Sequence, residues 1–167
     1  MFSKQGGNSV EKEGQLQVVT FQLGVENYGI DIMDVKGIVK SEEIRAIPNV
    51  PSYVEGILNI RGEIIPIINL HERFHFKKVE LSEDDELLSG IIVIDINSMQ
   101  LGIIIDKILR VVTIDEMDIH PPPQMISGIG VEYIQGVLNE DGKYLIILDI
   151  VRLFSKKELQ QLSIIKE

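Results

Sequence analysis

The sequence predicts a mainly β protein built from two small five-stranded barrels in tandem, which share a hydrophobic core and are followed by a C-terminal helix. Three observations predict it: short runs of β-branched residues, hairpin signals between the runs, and an internal repeat. The chain has 167 residues, of which 44% are hydrophobic and 5% aromatic. That length is typical of one compact unit or of two small ones.

Strands are predicted where Val, Ile and Leu dominate runs of about four to eight residues. These runs occupy 18–23, 64–68, 91–96, 102–105 and 145–148. Gly, Asn or Asp stands in several connections, at positions where a hairpin turn needs a positive φ. Such connections occur at 24–27, 97–100 and 140–142. The pattern therefore favours antiparallel hairpins.

Helical periodicity is confined to single turns at 32–36 and 70–74 and to a terminal stretch at 155–167. In that stretch Ser155 and Glu158 form a capping-box pattern, and apolar residues follow on one face. We expect a helix there that docks against the fold. Two segments are expected to be unstructured because polar and like-charged residues cannot offset the entropy of ordering. They are the N-terminal tail at 1–16 and an acidic loop at 77–89.

The internal repeat places residues 54–74 over 134–154 at a shift of about eighty residues, and 29–39 over 102–112 at a shift of about seventy-three. A repeat this long indicates two similar modules in tandem. We expect the first barrel at about 17–76 and the second at about 90–154. Pro66 does not recur, because Ile146 stands at the matching position, and a proline within a strand indicates an edge strand or a position without a ladder donor.

The repeat also separates residues that the fold requires from residues that it does not. Gly56, Asn59 and Gly62 recur in the second copy, so we assign them to turn geometry and close backbone approach. Arg61 does not recur, because Asp141 stands at the matching position. Arg61 is therefore the first residue with a claim to function.

Charge and composition exclude several classes of protein. Lys and Arg number 16 against 26 Asp and Glu, for a net charge of -10, which makes nucleic acid and anionic membrane poor partners. Cysteine is absent, so disulfides, thiolate metal sites and cysteine nucleophiles are excluded, and a reducing cytosolic compartment is expected. The sequence also predicts neither a secretion signal nor a transmembrane span.

The sequence carries few groups arranged for reactive chemistry. His71 and His75 have the spacing of two metal ligands on a helix, yet no third ligand is near in sequence, so solvated helix surface is the favoured interpretation. Asp95, Asp106 and Asp149 occur within or after the strand runs and are interpreted as strand-end or turn carboxylates. The sequence contains no phosphate-binding loop and no nucleophile motif. We expect no enzyme, metal or cofactor. The residues leave open a double barrel that binds a small molecule or an oligonucleotide in a concave pocket.

The stretch G-x-L-N-I-R-G-E-I-I-P-I-I-N-L between Gly56 and Leu70, with F-Q-L-G-V-E-N-Y-G-I-D-I at 21–32 and I-P-N-V-P at 47–51, resembles the CheW family of chemotaxis coupling proteins. The resemblance implies two SH3-like five-stranded barrels over 17–154. It also implies a non-catalytic adaptor at receptor arrays on the inner face of the membrane. Its partners would be the regulatory domain of the histidine kinase CheA and the cytoplasmic tip of chemoreceptors.

For the receptor, the resemblance implies a groove between the barrels. Arg61 would lie beside that groove, with Val35, Ile108 and Val111 inside it. The alternatives from the residues alone are a rim ion pair of Arg61 with Glu63, worth about 0–1 kcal/mol, and plain core packing for the three apolar residues.

For the kinase, the resemblance implies an edge of the first barrel that includes Gly37, Ile38 and Val39. The family often carries an acidic residue where this chain has Gly37. A second kinase contact is expected on the outer surface of the second barrel, around His120 and Met125, next to the three prolines at 121–123.

Overall fold

The computed structural model describes residues 14–40, 44–75, 83, 88–123, 129–140 and 142–165. Ten strands and two α-helices, together with short 3-10 turns, are defined within these described ranges. The strands are β1 (Gln15–Leu23), β2 (Glu26–Asp31), β3 (Val35–Lys40), β4 (Val54–Ile60), β5 (Glu63–Asn69), β6 (Gly90–Ile96), β7 (Met99–Ile105), β8 (Lys107–Asp115), β9 (Ile134–Glu140) and β10 (Lys143–Leu148). The helices are α1 (Leu70–Phe74) and α2 (Lys156–Ile165).

The strands form two five-stranded sheets, which correspond to the two expected barrels. Sheet 1 has the order β8-β1-β2-β10-β9, and sheet 2 has the order β3-β6-β7-β5-β4. Most neighbours are antiparallel, but β2 pairs with β10 and β5 pairs with β7 in parallel. These two parallel pairs join strands of different repeats.

Each sheet therefore takes strands from both repeats, which differs from the sequential division expected at 17–76 and 90–154. The first two strands of each repeat lie in one sheet, and its last three lie in the other. The chain changes sheets after β2, through a 3-10 turn at Ile32–Asp34, and again at Asp106 between β7 and β8. Repeats with similar strands can exchange them because the pairing surfaces are similar, and sequence periodicity does not distinguish the two solutions.

The predicted hairpins at 24–27, 97–100 and 140–142 are all present as antiparallel pairs. Two side chains repeat the same turn contact: Asn59 accepts the backbone N–H of Gly62 at 2.9 Å, and Asn139 accepts that of Gly142 at 3.1 Å. Pro66 does not lie on an edge strand, because β5 has neighbours on both sides. The pairing with β7 starts only at the next residue, so the missing N–H is not needed there.

The interior contains three apolar clusters. Two of them are small, and each packs side chains of one sheet. The third is large and central, and it contains buried side chains of both sheets and of the C-terminal helix. Phe21, Ile30, Ile94 and Ile103 are fully buried members of the central cluster. The expected shared core is thus present, and it joins the two barrels into one packed unit.

The C-terminal helix docks as the sequence predicts. Ser155 and Glu158 form the capping box, since Ser155 Oγ accepts the N–H of Glu158 at 3.1 Å and Glu158 Oε1 accepts the N–H of Ser155 at 2.8 Å. Leu162 is fully buried in the central core. Within the described part of the chain, no helix is long and apolar enough to cross a membrane.

Arg73 lies in α1 and connects this short helix to the C-terminal part of the chain. Its guanidinium donates to the backbone oxygen of Leu153 at 3.1 Å and to Glu158 at 3.0 Å. It also lies 5.4–5.9 Å from the centres of four aromatic rings, two from each repeat. Those rings belong to Tyr53, Phe74, Tyr133 and Phe154. A cation among ring faces is favourable, so Arg73 stabilises the junction of the two repeats.

Candidate functional site

Two of the four terminal strands of the sheets, β3 and β8, carry exposed apolar side chains. β3 ends sheet 2 and β8 ends sheet 1, and the repeat places them at equivalent positions. Ile38 on β3 is 44% exposed, and Val111, its counterpart on β8, is 51% exposed. An edge strand with exposed apolar side chains is a surface on which another protein chain can dock.

The first concavity beside these edges, here called the β3 groove, lies between β3 and the β4–β5 hairpin and has a volume of about 440 Å³. Its lining residues are Lys36, Gly37, Ile38, Val39, Ile60, Arg61, Glu63, Ile65, Val93 and Gln100. The groove therefore combines apolar strand residues with charged residues at one end. It brings Arg61 together with Gly37, Ile38 and Val39, although the resemblance implies the receptor as the partner of Arg61 and the kinase as the partner of the other three.

Arg61 reaches this groove from a strained position. It is the first residue of the two-residue β4–β5 turn, with φ 54°, and Gly62 follows with φ 84°. Two positive φ values define the type I′ hairpin turn, in which Asn and Gly are favoured. The exposed arginine thus occupies a site that its own backbone preference disfavours.

A second concavity, here called the inter-barrel groove, lies where the β3 edge of sheet 2 meets β8 of sheet 1 and has a volume of about 460 Å³. Its lining residues are Ile38, Val39, Lys40, Leu88, Ser89, Ile108 and Leu109. The backbone N–H of Ile108 donates to the oxygen of Leu88 at 2.9 Å, which holds the start of β8 in place. Apolar side chains of both sheets therefore border one surface.

Of the three apolar receptor candidates, only Ile108 lines the inter-barrel groove; Val35 and Val111 do not. Val35, at the start of β3, is half-buried against the central core, as is Ile108. Val111 is too exposed for plain core packing. Leu88 and Leu109 line the inter-barrel groove but were missed from the sequence, because nothing local marks them as neighbours of Ile38.

A third groove, the β8 groove, is the repeat-related counterpart of the β3 groove and has a volume of about 330 Å³. Arg110 stands in it where the β3 groove has Gly37, and Glu140 stands where that groove has Ile60. The concavity is thus a property of the repeated fold. The side chains that line it are not, so the two grooves present different charges.

The expected second kinase surface is described only in part. His120 lies in a cleft of about 420 Å³ with Pro121, Pro123 and Tyr144, and its backbone pairs with Val137. Met125 lies outside the described residues. The structure therefore places His120 on an open surface without giving the position of its expected neighbour.

Negative charge collects where the chain first changes sheets. The pKa of Asp34 is raised, first by burial and then by the carboxylates of Asp31, Asp149 and Asp95, while Lys36 lowers it. Positive charge lies along β3. Lys36 lines the β3 groove, and Lys40 lines the inter-barrel groove. The β3 edge therefore carries positive charge on a chain whose net charge is -10.

The interpretation of His71 as solvated helix surface is wrong. His71 is buried, and its Nε2 lies 2.9 Å and 3.0 Å from the two carboxylate oxygens of Asp106. The short helix α1 points His71 inward because Asn69 caps it, accepting the N–H groups of His71 and Glu72. Across the described ranges, no group of three or more His, Cys, Asp or Glu side chains is arranged to hold a metal ion.

Comparison with known proteins assigns the family. The family model described as CheW-like domain matches residues 17–158, which is most of the chain. The chain belongs to the CheW-like domain family. The match runs from β1 into the C-terminal helix, and so it includes both edge strands and all the grooves described above.

Individual relatives agree with this assignment. The chain is 56% identical over 149 residues to a chemotaxis protein CheW of Treponema pallidum (strain Nichols), covering 89% of this chain and 88% of the relative. It is 32% identical over 157 residues to the chemotaxis protein CheW of Klebsiella aerogenes, covering 94% and 90%. Among solved structures, the scaffolding protein TtCheW from Thermoanaerobacter tengcongensis matches with a TM-score of 0.77 at 36% identity, covering 93% and 96%.

Proposed function

We propose that this CheW-like chain is a non-catalytic scaffold that couples chemoreceptors to the histidine kinase CheA in cytoplasmic signalling arrays. The observation that carries the proposal is the pair of exposed, repeat-related sheet edges, β3 and β8, which border open grooves that contain apolar side chains. A scaffold needs such docking surfaces more than it needs reactive groups. The names of the relatives, which are chemotaxis and scaffolding proteins, support the same role.

The receptor tip is proposed to occupy the surface between the barrels. Ile108 lines the inter-barrel groove, Val111 is exposed further along β8, and Val35 supports the start of β3. An amphipathic helix can place its apolar face along such a surface. Arg61 is proposed to bind carboxylate or amide oxygens of the same tip.

The regulatory domain of CheA is proposed to bind the β3 edge through Gly37, Ile38 and Val39, with a second contact around His120 and Met125. Gly37 has open space where a Cβ would stand, so the β3 backbone is accessible at that point. Because Arg61 lines the groove beside this edge, the two partners would be close neighbours there. Each variant must therefore be tested against both partners.

The test is calorimetric titration of the chain with a cognate CheA regulatory domain and, separately, with a soluble receptor cytoplasmic fragment. Val111→Lys is expected to weaken receptor binding by about tenfold or more while kinase binding is retained, since a charge would enter an apolar contact. Val131→Lys is the matched control, because Val131 is 46% exposed and lines none of the grooves described above. Ile38→Lys is expected to weaken kinase binding by a similar factor.

Arg61→Ala completes the series and is expected to weaken receptor binding while kinase binding is retained. Lys143→Ala is its control, because Lys143 is exposed beside the turn of the repeat-related β9–β10 hairpin. If a folded wild-type chain bound neither partner, the scaffold role would be rejected. If Val131→Lys weakened binding as much as Val111→Lys, the receptor site would lie elsewhere.

A further inference from the structure

The side chain of Asp106 joins the two sheets at the second point where the chain changes sheets. Its Oδ2 accepts the backbone N–H of Gly24, in the β1–β2 turn of sheet 1, at 2.7 Å. Its two oxygens also lie 2.9 Å and 3.0 Å from Nε2 of His71, on the helix that follows β5 of sheet 2. The backbone N–H of Asp106 donates to Gln22 of β1 at 3.0 Å. One residue is therefore bonded to both barrels.

The contact is shielded from water, which strengthens it. The side chains of His71 and Asp106 are 7% and 14% exposed. A hydrogen bond to a carboxylate in such surroundings is stronger and more directional than one on the surface. The pair is thus able to fix the position of the backbone that carries it.

The fold itself does not require this pair. In the internal repeat, Met33 stands at the position of Asp106 and Val151 at that of His71. Both are exposed apolar residues, at 70% and 56%, so the first crossing between the sheets is made without any such bond. The comparison that marked Arg61 as unnecessary for the fold therefore marks His71 and Asp106 as well.

The location of Asp106 connects the pair to the inter-barrel groove. Lys107 follows Asp106 directly as the first residue of β8, and Ile108 and Leu109, the next two residues, line the groove. A displacement at Asp106 would move both lining residues, because they belong to the same strand.

We infer that the buried His71–Asp106–Gly24 bonds position β8 against β3, so that His71 and Asp106 are positioning residues for the inter-barrel groove. The part of this inference that concerns binding rests on the proposed function. The part that concerns the separation of the two edges does not.

The test measures that separation directly. The chain contains no cysteine, so Lys36→Cys on β3 and Thr113→Cys on β8 give two unique, exposed sites for spin labels. Pulsed electron paramagnetic resonance then gives the distribution of distances between the two spin labels. Asp106→Ala and His71→Ala are expected to broaden or shift it, whereas Asp106→Asn and His71→Gln, which keep hydrogen-bonding groups, are expected to lie nearer to wild type.

Asp95→Asn is the matched control. Asp95 accepts the backbone N–H of Ser98 at 2.9 Å, a similar bond that lies within one hairpin of sheet 2. This variant is expected to leave the distance distribution unchanged. Circular dichroism checks the folding of each variant, and if Asp106→Ala does not fold, His71→Ala decides, because it leaves the bond to Gly24 in place.

Binding of the receptor fragment is the second readout, and His71→Ala is expected to weaken it on the order of tenfold. A folded His71→Ala variant with the wild-type distance distribution would overturn the positioning role, as would an equal change in Asp95→Asn. If the distances broaden as expected but the wild-type chain binds neither partner, the proposed function fails and the positioning role stands.

Discussion

At the scale of single residues, Arg61 is placed where backbone preference argues against it. A non-glycine residue with positive φ costs free energy that Asn or Gly at the same position would largely avoid. Asn97, with φ 52°, is the first residue of the two-residue β6–β7 turn, as Arg61 is of the β4–β5 turn. The arginine side chain is thus retained at a cost in stability, which is typical of a residue kept for binding.

We therefore predict that Arg61→Asn increases the free energy of unfolding by about 1 kcal/mol. The reason is the relief of backbone strain in the β4–β5 turn, and urea unfolding measures it. The same variant is expected to weaken receptor binding, so stability and binding change in opposite directions.

The control is the reverse substitution, from asparagine to arginine, in the β6–β7 turn. Asn97→Arg puts an arginine into the same backbone conformation and is expected to decrease stability by a similar amount. A decrease in stability for Arg61→Asn would mean that the arginine makes a native contact that outweighs the strain.

The absence of a side chain at Gly56 is required because the backbone at Arg45 lies close to it. A Cβ on Gly56 would lie 2.2 Å from the backbone oxygen of Arg45, and φ is 153°. Gly136, its counterpart, also lacks room for a side chain, since a Cβ there would lie 2.2 Å from the side chain of Ile119 and 3.0 Å from the backbone oxygen of His120. The repeat comparison assigned Gly56 to backbone geometry, and these distances give the physical reason.

At the scale of elements, α2 stabilises the molecule through one side of its surface. Leu162 is fully buried against both sheets, whereas Ile164, two residues later, is 66% exposed. The pattern follows from the helical period, which turns residues two positions apart to different faces.

We predict that Leu162→Ala decreases the free energy of unfolding by about 2–5 kcal/mol, because it leaves a cavity in the shared core. Ile164→Ala provides the matched control and is expected to change stability by no more than about 0.5 kcal/mol. Thermal and urea unfolding measure both variants. Equal effects of the two substitutions would mean that the helix packs through another face.

At the scale of the whole molecule, the exchange of strands makes the two repeats interdependent. Sheet 1 contains β1 and β2 of the first repeat with three strands of the second, and sheet 2 has the reverse composition. Neither half of the sequence contains a complete sheet. The barrels are therefore not independent folding units, although the sequence reads as two modules in tandem.

We predict that fragments 1–87 and 88–167, prepared separately, lack cooperative unfolding, and that mixing them in equal amounts restores it. Far-ultraviolet circular dichroism and thermal unfolding measure both effects. The control is the full chain with a protease site inserted at 77–87 and cleaved after folding, which is expected to stay associated. Cooperative unfolding of either fragment alone would contradict the interdependence of the repeats.

The sequence by itself determined the features that depend on near neighbours. Turn residues with positive φ placed the hairpins, the pairing of Ser155 with Glu158 placed the start of α2, and the repeat identified Arg61 as unnecessary for the fold. These features are local because a turn or a cap is stabilised by groups within a few residues of each other.

Only the tertiary structure decided which strands pair, and hence which residues share a groove. The two repeats have similar strands, so the choice between pairing within a repeat and pairing across repeats depends on packing in the shared core. That choice brings Arg61 beside Gly37, places Leu88 and Leu109 in one groove, and buries His71 against Asp106. Contacts between residues so far apart in the chain leave no local pattern in a single sequence.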